Sequence, residues 1–228
     1  MMETLEYYSK LSSSQQELIA RHLDLVIEAN KRLNLTRIAD RDEGFILHVE
    51  DSLSGLSEIE NAPEGRYADI GSGAGYPGIP LAIASGRETL LVDARMKKMQ
   101  SVEKIVAELG LTGQVSVYAG RAELLARKKP SSFAVITARA LSRLNVLMEL
   151  AAPLLIKGGH LICYKSHVEE DELGDAERVE DIVGMRKISD RSFELSGAYQ
   201  RRILVFEKFK SSKIKLPRQE GMAQKKPL

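Results

Sequence analysis

The chain has 228 residues and a formal net charge of +1, with 43% hydrophobic and 29% charged residues. This composition predicts one α/β domain plus an extension, and it excludes a globally basic protein while leaving local basic patches open. No apolar run is long enough to span a membrane, and the N-terminal residues lack the apolar core of a signal peptide. We therefore expect a cytoplasmic protein without a membrane partner.

The cysteine and histidine residues do not indicate a metal site. Cys163 lies in the strand-like run HLICYK without an adjacent histidine or acid, which is typical of a buried packing residue. The four histidines, His22, His48, His160 and His167, do not have the spacing of metal ligands. We expect no structural metal.

The first part of the chain has a helical pattern. Each of the three serines at positions 12–14 precedes Gln or Glu by three residues, which offers overlapping capping boxes. Apolar residues then recur at helical spacing through residues 12–33. Shorter helical patterns follow at Glu43–Val49 and Asp51–Ile59, and the turn-forming sequence Asn61–Gly65 marks a boundary.

Strand and helix patterns alternate after this boundary. The strand-like runs are Tyr67–Ile70, Thr89–Asp93, Gln114–Tyr118, Phe133–Thr137 and Gly159–Lys165, and the helix-like runs between them are Ile79–Ser85, Met96–Leu109, Arg121–Ala126 and Leu144–Leu155. Such alternation predicts a parallel sheet with helices on both faces. Two further strand-like runs, Gly184–Ser189 and Arg201–Phe206, have no helix between them and predict an antiparallel pair at the sheet edge.

Charge is segregated toward the C-terminus. Between Val168 and Asp181 there are eight acids and one base, and between Tyr199 and Leu228 there are nine bases and two acids. The acidic run is typical of a solvated helix face. The basic tail is typical of either a disordered solvating segment or an arm that binds a polyanion. We divide the chain into a helical extension (1–60), a cofactor-binding domain (61–210) and the basic tail (211–228), all parts of one unit.

The glycine-rich run Tyr67–Gly78, YADIGSGAGYPG, indicates a cofactor loop. Its glycines allow a sharp turn and a close approach of backbone N–H groups to a ligand. The register Gly73–Gly78 fits the dinucleotide pattern G-x-G-x-x-G, and Asp93 follows 20 residues after Gly73, where an acid would hold ribose hydroxyls. These features alone admit an NAD-dependent oxidoreductase.

Asp69 favours a different cofactor. A carboxylate immediately before the glycines would repel a pyrophosphate, but it suits S-adenosylmethionine, which carries an ammonium and a sulfonium and no phosphate. We therefore predict an S-adenosylmethionine site in which Asp93 holds the ribose and Gly120–Glu123 covers the adenine. An alternative for Glu123 is an acid that complements the dipole of the following helix.

Seven segments along the chain match one known family. They are Asn34-Leu35-Thr36, His48-Val-Glu-Asp51-Ser52-Leu53, DIGSGAGYPGIPLAI, LLVDARMKK, GRAE, ITARALSRL and the terminal PRQEGMAQKKPL. The chain thus resembles the bacterial 16S rRNA (guanine-N7)-methyltransferase G family, also called glucose-inhibited division protein B, over nearly its whole length. H-x-x-D-S-L and A-R-A are together much more specific than the glycine loop.

The resemblance implies a fold, a reaction and a set of cofactor residues. The fold is a class I (Rossmann-like) methyltransferase with a seven-stranded, mostly parallel sheet, one antiparallel edge strand and the helical extension. The reaction moves a methyl group from S-adenosylmethionine to N7 of one guanine in small-subunit rRNA near the decoding site. With the loop interpretation above, the cofactor residues are Asp69, Gly71, Gly73, Gly75, Tyr76, Asp93, Ala122, Glu123 and Arg139.

The expected catalysis needs no general base. N7 of guanine has an exposed lone pair and no proton to lose, so orientation of the reacting groups can supply most of the rate. We predict Arg139, His48 and Asp51 as catalytic residues, with the structural alternative that Asp51 or Ser52 caps a helix. The guanine must be unpaired or flipped out to enter a closed pocket.

Positive charge should bind the RNA. The candidates are Arg95, Lys97, Lys98, Arg139, Arg143, Lys165, Arg201, Arg202, Arg218, Lys225 and Lys226. We expect 16S rRNA or the small ribosomal subunit as the partner and a monomeric protein. Two alternatives stay open: a small-molecule methyltransferase, against which the basic tail argues, and a non-catalytic rRNA-binding assembly factor, against which the intact loop and Asp93 argue.

Overall fold

The computed structural model describes residues 5–228 and contains one mixed β-sheet. Its strands are β1 (Tyr67–Ile70), β2 (Thr89–Asp93), β3 (Val115–Ala119), β4 (Phe133–Arg139), β5 (Leu155–Lys165), β6 (Met185–Leu195) and β7 (Tyr199–Lys208). Within the described chain the order across the sheet is β3-β2-β1-β4-β5-β7-β6. β1 to β5 run parallel, and β7 is antiparallel to both β5 and β6. The predicted fold class and the antiparallel pair at the sheet edge are confirmed.

The helices precede, connect and follow these strands. They are α1 (Ser13–Leu33), α2 (Arg41–Gly44), α3 (Asp51–Leu53), α4 (Leu56–Glu60), α5 (Gly78–Ser85), α6 (Met96–Glu108), α7 (Ala122–Lys128), α8 (Leu144–Ala151), α9 (Glu170–Val183) and α10 (Met222–Lys225). A 3₁₀ turn covers Tyr8–Lys10, and a π-helical stretch, Phe45–Glu50, joins α2 to α3. None of the helices in residues 5–228 has the length and apolar character needed to cross a membrane.

Helix α1 begins at the predicted capping box. The Ser12 side chain accepts a hydrogen bond from the backbone N–H of Gln15, and the Gln15 side chain accepts one from the N–H of Ser12. The stripe of Ile19, Leu23 and Val26 is fully buried in a cluster shared with α5 and α6. Helix α1 therefore packs into the core on one face of the sheet. This packing brings the residues that follow α1 to the carboxyl edge of the sheet.

The sheet is covered on both faces, as strand–helix alternation predicts. Helices α1, α5 and α6 pack on one face, and α8 and α9 pack on the other, where Leu147 and Val179 join Phe206 of β7 in one buried cluster. Such burial supplies about 1.5–3 kcal/mol for each large apolar side chain. The two layers hold the strand ends rigidly, which is what a site built on those ends requires.

The acidic run forms α9 and is mostly solvated, as expected. Glu170 and Asp171 lie in its first turn, where negative charge complements the helix dipole. Glu172 differs, because it is buried and its carboxylate lies 2.6 Å from the ammonium of Lys165.

The C-terminal tail packs against the body of the protein. Leu216, Ala223 and Leu228 join the cluster that contains residues of α7 and α8. Two guanidinium nitrogens of Arg218, Nε and Nη2, donate to the carboxylate of buried Glu149, at 2.7 and 2.6 Å. The structure thus shows neither a disordered segment nor a projecting arm.

Candidate active site

A cavity of about 400 Å³ opens at the carboxyl ends of β1, β2 and β4. This size lies within the range of small-molecule binding sites, and this edge of a parallel sheet is where such sites form. Its lining includes the glycine loop after β1, Asp93 at the end of β2, Arg139 at the end of β4, and Thr36 and His48 of the N-terminal extension.

The glycine loop forms the floor of this cavity. Of the predicted cofactor residues in this loop, Gly71, Gly73 and Tyr76 line the cavity, whereas Gly75 turns the chain with φ of +95° and packs against Ile79. A side chain at Gly78 would place its Cβ 2.3 Å from Leu91, so only glycine lets α5 begin this close to β2.

The structure does not bring Asp69 into the cavity. Its carboxylate is fully buried behind the loop and accepts hydrogen bonds from the N–H of Gly78 (3.0 Å) and the hydroxyl of Thr137 (2.8 Å). Burial raises the pKa of Asp69 to about 7. Because Asp69 has no exposed surface and does not line the cavity, it shapes the loop from behind, and we assign it no direct contact with a ligand.

Asp93 does face the cavity. Its two oxygens accept from the N–H groups of Gly73 (3.1 Å) and Arg95 (2.8 Å), which fixes the side chain at the end of β2. Each carboxylate oxygen keeps a lone pair for a further donor, so the residue suits a pair of ligand hydroxyls.

Ala122 and Glu123 line the far end of the cavity, together with Gln224 from the C-terminal segment. Glu123 lies in the first turn of α7, where its charge suits the helix dipole. Its Oε1 also accepts a hydrogen bond of 2.7 Å from the N–H of Gly221. This contact ties the tail to the cavity and was absent from the sequence-based interpretation.

Arg139 and Asp51 form a buried junction beside the cavity. The carboxylate of Asp51 lies 2.8 Å from Nη1 of Arg139 and 2.7 Å from Nε of Arg201, and these side chains are 7%, 14% and 17% exposed. Nη1 of Arg139 also donates to the carbonyl of Leu47 at 3.0 Å. The capping alternative is wrong, since Asp51 binds the two arginines and the hydroxyl of Ser52 donates back to the carbonyl of His48.

His48 lies in the wall of the cavity, stacked on Tyr76 with ring centroids 4.5 Å apart. Burial, with the charge of Arg139 as a second cause, lowers the pKa of His48 to about 3, so its imidazole is neutral at physiological pH. Nη2 of Arg139 lies 3.4 Å from Nδ1, which makes Nδ1 the acceptor and leaves Nε2–H to donate to the hydroxyl of Thr36 at 2.8 Å.

Most of the predicted RNA-binding cations are engaged within the protein. The pairs are Arg143 with Asp171 and Asp175, Lys165 with Glu172, Arg201 with Asp51, Arg202 with Asp190, and Arg218 with Glu149. Lys98 donates to the carbonyl of Leu35 at 2.7 Å, and Lys97, Lys225 and Lys226 are exposed.

Several residues of the cavity were not predicted as site residues. Thr36, Leu141 and Gln224 line it. Three cations, Arg95, Lys98 and Arg121, surround its rim; of these, Arg95 and Lys98 are predicted RNA-binding residues and Arg121 lies in the predicted loop Gly120–Glu123. Thr36 and Gln224 lie in segments used for the family match, but no local pattern distinguishes them. Leu141 follows Arg139 closely and packs over Gly71. Among residues 5–228, no three His, Cys, Asp or Glu side chains come together as metal ligands would.

The strand order, the glycine floor and the strand-end acid define a class I methyltransferase, a class that uses S-adenosylmethionine. Solved structures share this fold. The Bacillus cereus O-methyltransferase in complex with SAH has a TM-score of 0.56 and 19% identity over 82% of this chain and 90% of that one. Cofactor-bound Rv0187 from MTB has a TM-score of 0.58 and 16% identity over 83% and 90%.

Sequence comparison identifies the particular family. The family described as "rRNA small subunit methyltransferase G" matches residues 15–203. Proteins named ribosomal RNA small subunit methyltransferase G share 35% identity in Streptococcus thermophilus, over 96% of this chain and 93% of the relative, and 37% in Desulfitobacterium hafniense, over 96% and 92%. The chain belongs to the rRNA small subunit methyltransferase G family.

Proposed function

We propose that this protein transfers a methyl group from S-adenosylmethionine to N7 of a guanine in 16S rRNA. The observation that carries the proposal is the composition of a single cavity. It joins the glycine loop and Asp93 to Thr36, His48 and Arg139, residues of the segments that distinguish this family from other methyltransferases. The names of the relatives supply the class of substrate, small-subunit rRNA.

The residues present fit the cofactor. The backbone of Gly71 and Gly73 is accessible to a ligand, Asp93 offers acceptors for ribose hydroxyls, and Ala122 and Glu123 enclose the end suited to an adenine. When bound, S-adenosylmethionine supplies an electrophilic methyl group.

The guanine end of the cavity comprises Thr36, His48, Arg139 and Leu141. Nη1 of Arg139 is committed to Asp51 and Leu47, while Nη2 has only the long contact with His48. Arg139 therefore retains N–H donors for O6, the acceptor next to N7 on the same edge of guanine.

The chain's own residues orient the base without moving a proton. His48 is neutral and held by Thr36, so it acts as a fixed wall and not as a general acid. Asp51 fixes the guanidinium of Arg139 and is a positioning residue, since it does not line the cavity. Orientation of this kind is a sufficient source of catalysis for a nucleophile that carries a lone pair at neutral pH.

The two tyrosines near the cavity, Tyr76 and Tyr164, are not placed to stack on the target base. Tyr76 is buried against His22, His48 and Arg139. Tyr164 is buried as well, and its hydroxyl donates to the carbonyl of Ser52. We infer that the guanine is held by its edge and by Leu141, and that it enters as an unpaired or flipped nucleotide.

Cations at the rim are placed to bind RNA phosphates. Arg95, Lys98 and Arg121 border the cavity, and Lys97 is exposed one residue from Lys98. These four residues replace most of the ion-paired cations as our proposed RNA surface. A protein that methylates rRNA would act in the cytoplasm, and this is the location that we propose.

The test is methylation of defined substrates followed by nucleoside mass spectrometry. Purified protein, S-adenosylmethionine and either 16S rRNA or 30S subunits from a strain lacking the gene should yield 7-methylguanosine at one position. Arg139→Ala should reduce the yield by at least about 100-fold, as expected when an orienting group is lost. Lys157→Ala, at an exposed position near the start of β5, is the control.

Two results would contradict the proposal. One is a product methylated on another base or another atom. The other is wild-type protein that binds the cofactor but methylates neither RNA, which would favour a small-molecule substrate or an assembly factor.

A further inference from the structure

The C-terminal segment, residues 216–228, reaches the far end of the cavity. It packs against residues of α7 and α8, and it brings Gln224 into the lining of the cavity together with Glu123. A tail that served only to attract RNA would need no such placement.

Three contacts fix the position of this segment. The N–H of Gly221 donates to Oε1 of Glu123 at 2.7 Å, and Gly221 has φ of +74°, a conformation that favours glycine. Arg218 binds both carboxylate oxygens of Glu149 and also donates to the carbonyl of Lys226 at 2.9 Å. These contacts bracket Gln224 on both sides in sequence.

The segment that is held in this way carries a side chain with unused hydrogen-bonding capacity. Gln224 is exposed and lines the cavity, and among residues 5–228 its carboxamide has no hydrogen-bond partner, so both of its polar atoms are free to bind a ligand. A carboxamide offers one donor and one acceptor side by side, the pattern that matches an adenine edge with its amino group and ring nitrogen.

We propose that Gln224 is a cofactor-binding residue that recognises the adenine of S-adenosylmethionine, and that residues 216–228 are the part of the chain that places it. The proposal rests on the proposed use of that cofactor at this cavity. It also gives Arg218 a different role from the predicted one, because its charge is neutralised by Glu149 and serves to position Gln224.

Calorimetric titration of the full-length protein with S-adenosylhomocysteine tests this without any RNA. Gln224→Met retains the length of the side chain but loses the amide, and it should weaken binding about tenfold, the effect of one or two lost hydrogen bonds. Lys225→Ala changes the neighbouring exposed residue, which does not line the cavity, and should bind as wild type does.

A second ligand shows whether Gln224 recognises the amino group of adenine or only covers the ring. The analogue of S-adenosylhomocysteine that carries purine in place of adenine lacks the amino group. Wild type should bind it more weakly than the parent ligand, and the difference should shrink in Gln224→Met.

Each outcome decides one question. Equal affinities of wild type and Gln224→Met, or equal losses in Gln224→Met and Lys225→Ala, would overturn the role of Gln224. An unchanged preference for adenine over purine in Gln224→Met would also overturn it. Wild-type protein that does not bind S-adenosylhomocysteine at all would instead contradict the proposed function.

Discussion

Thr137 connects the cofactor loop to the middle of the sheet through one hydroxyl group. Its hydroxyl donates to Asp69 at 2.8 Å, so the hydroxyl of Tyr67, 2.7 Å away, must donate to it. All three side chains are fully buried. A buried polar chain of this kind stabilises the loop only while each member has its partner.

Thr137→Val should therefore destabilise the protein at its catalytic edge. The substitution leaves Asp69 with one donor fewer and Tyr67 without its acceptor, at a cost of about 1–3 kcal/mol. Thr137→Ser keeps the hydroxyl and is the matched control. Urea denaturation at pH 7 measures both variants, and equal stabilities for Val and Ser would show that the hydrogen-bonded chain contributes nothing.

His48 should make stability depend on pH. Its folded-state pKa is about 3, against about 6.5 when unfolded, so the unfolded chain binds a proton first and stability falls as the pH falls below 6.5. Between pH 7 and 5 the loss is about 2 kcal/mol. The raised pKa of Asp69 acts in the opposite direction, because the folded protein takes up that proton first on acidification.

Comparison with His48→Gln isolates the histidine, since the contribution of Asp69 is common to both proteins. The free energy of unfolding of the variant should fall about 2 kcal/mol less than that of wild type between pH 7 and 5. Urea denaturation at several pH values measures this difference. Parallel curves would mean that His48 has the same pKa in the folded and the unfolded protein.

At the scale of elements, Asp51 joins three parts of the chain. It lies at the start of α3, and its partners Arg139 and Arg201 lie on β4 and β7. The π-helical turn before α3 directs His48 toward the cavity while Asp51 meets the arginines. The junction therefore couples the substrate end of the site to the antiparallel edge of the sheet.

Asp51→Asn should lower the free energy of unfolding far more than a similar substitution at the surface. It removes the negative charge between two largely buried arginines, which costs about 3 kcal/mol or more. Asp190→Asn breaks the more exposed pair with Arg202 and should cost less than about 1 kcal/mol. Thermal unfolding compares them, and a similar loss of stability in both variants would rule out the special role of the Asp51 junction.

The elements differ in how far sequence predicts them. β1, β2 and β4 are short apolar runs bounded by turns, and the predicted bounds agree with the structure within two residues. β6 extends six residues beyond its predicted end at Ser189, since the edge strand is polar and its exposed residues show no apolar pattern. The predicted helical segment Glu43–Val49 contains most of the π-helical turn Phe45–Glu50, but the sequence has no pattern that distinguishes π from α geometry, because that geometry follows from packing against α1 and the glycine loop.

For the site, sequence identified many of the residues but not all of them, and not all of their roles. Gly71, Asp93, Ala122, Glu123, His48 and Arg139 meet at one cavity, as the strand-end argument requires. Asp69 was placed against the cofactor because a carboxylate before the glycines suits a cation. Only the tertiary structure reveals that Thr137 and Gly78 use both of its oxygens.

At the scale of the whole molecule, both ends of the chain converge on the carboxyl edge of the sheet. The N-terminal extension supplies Thr36 and His48, and the C-terminal segment supplies Gln224. The sequence does not predict in detail how either end reaches the cavity, because contacts between residues far apart in sequence leave no local periodicity. The middle of the chain builds the cofactor floor, and the two ends enclose it.

Removal of residues 211–228 distinguishes this arrangement from an RNA-binding arm. The truncation uncovers the apolar surface under Leu216 and Ala223 and leaves Glu149 buried without Arg218. An unpaired buried charge costs about 3 kcal/mol, which corresponds to a fall in Tm of roughly 6–12 °C for a protein of this size. Affinity for S-adenosylhomocysteine should fall as well, since the far wall of the cavity is lost.

The control for the truncation keeps the packing and removes exposed charge. Lys225→Ala combined with Lys226→Ala should leave Tm and the affinity for S-adenosylhomocysteine unchanged, because both side chains are exposed. An RNA arm predicts the converse pattern: truncation and the double substitution would both weaken rRNA binding, and neither would change Tm or cofactor affinity. Thermal unfolding and calorimetry without RNA therefore decide between a tail that builds the pocket and one that only attracts the substrate.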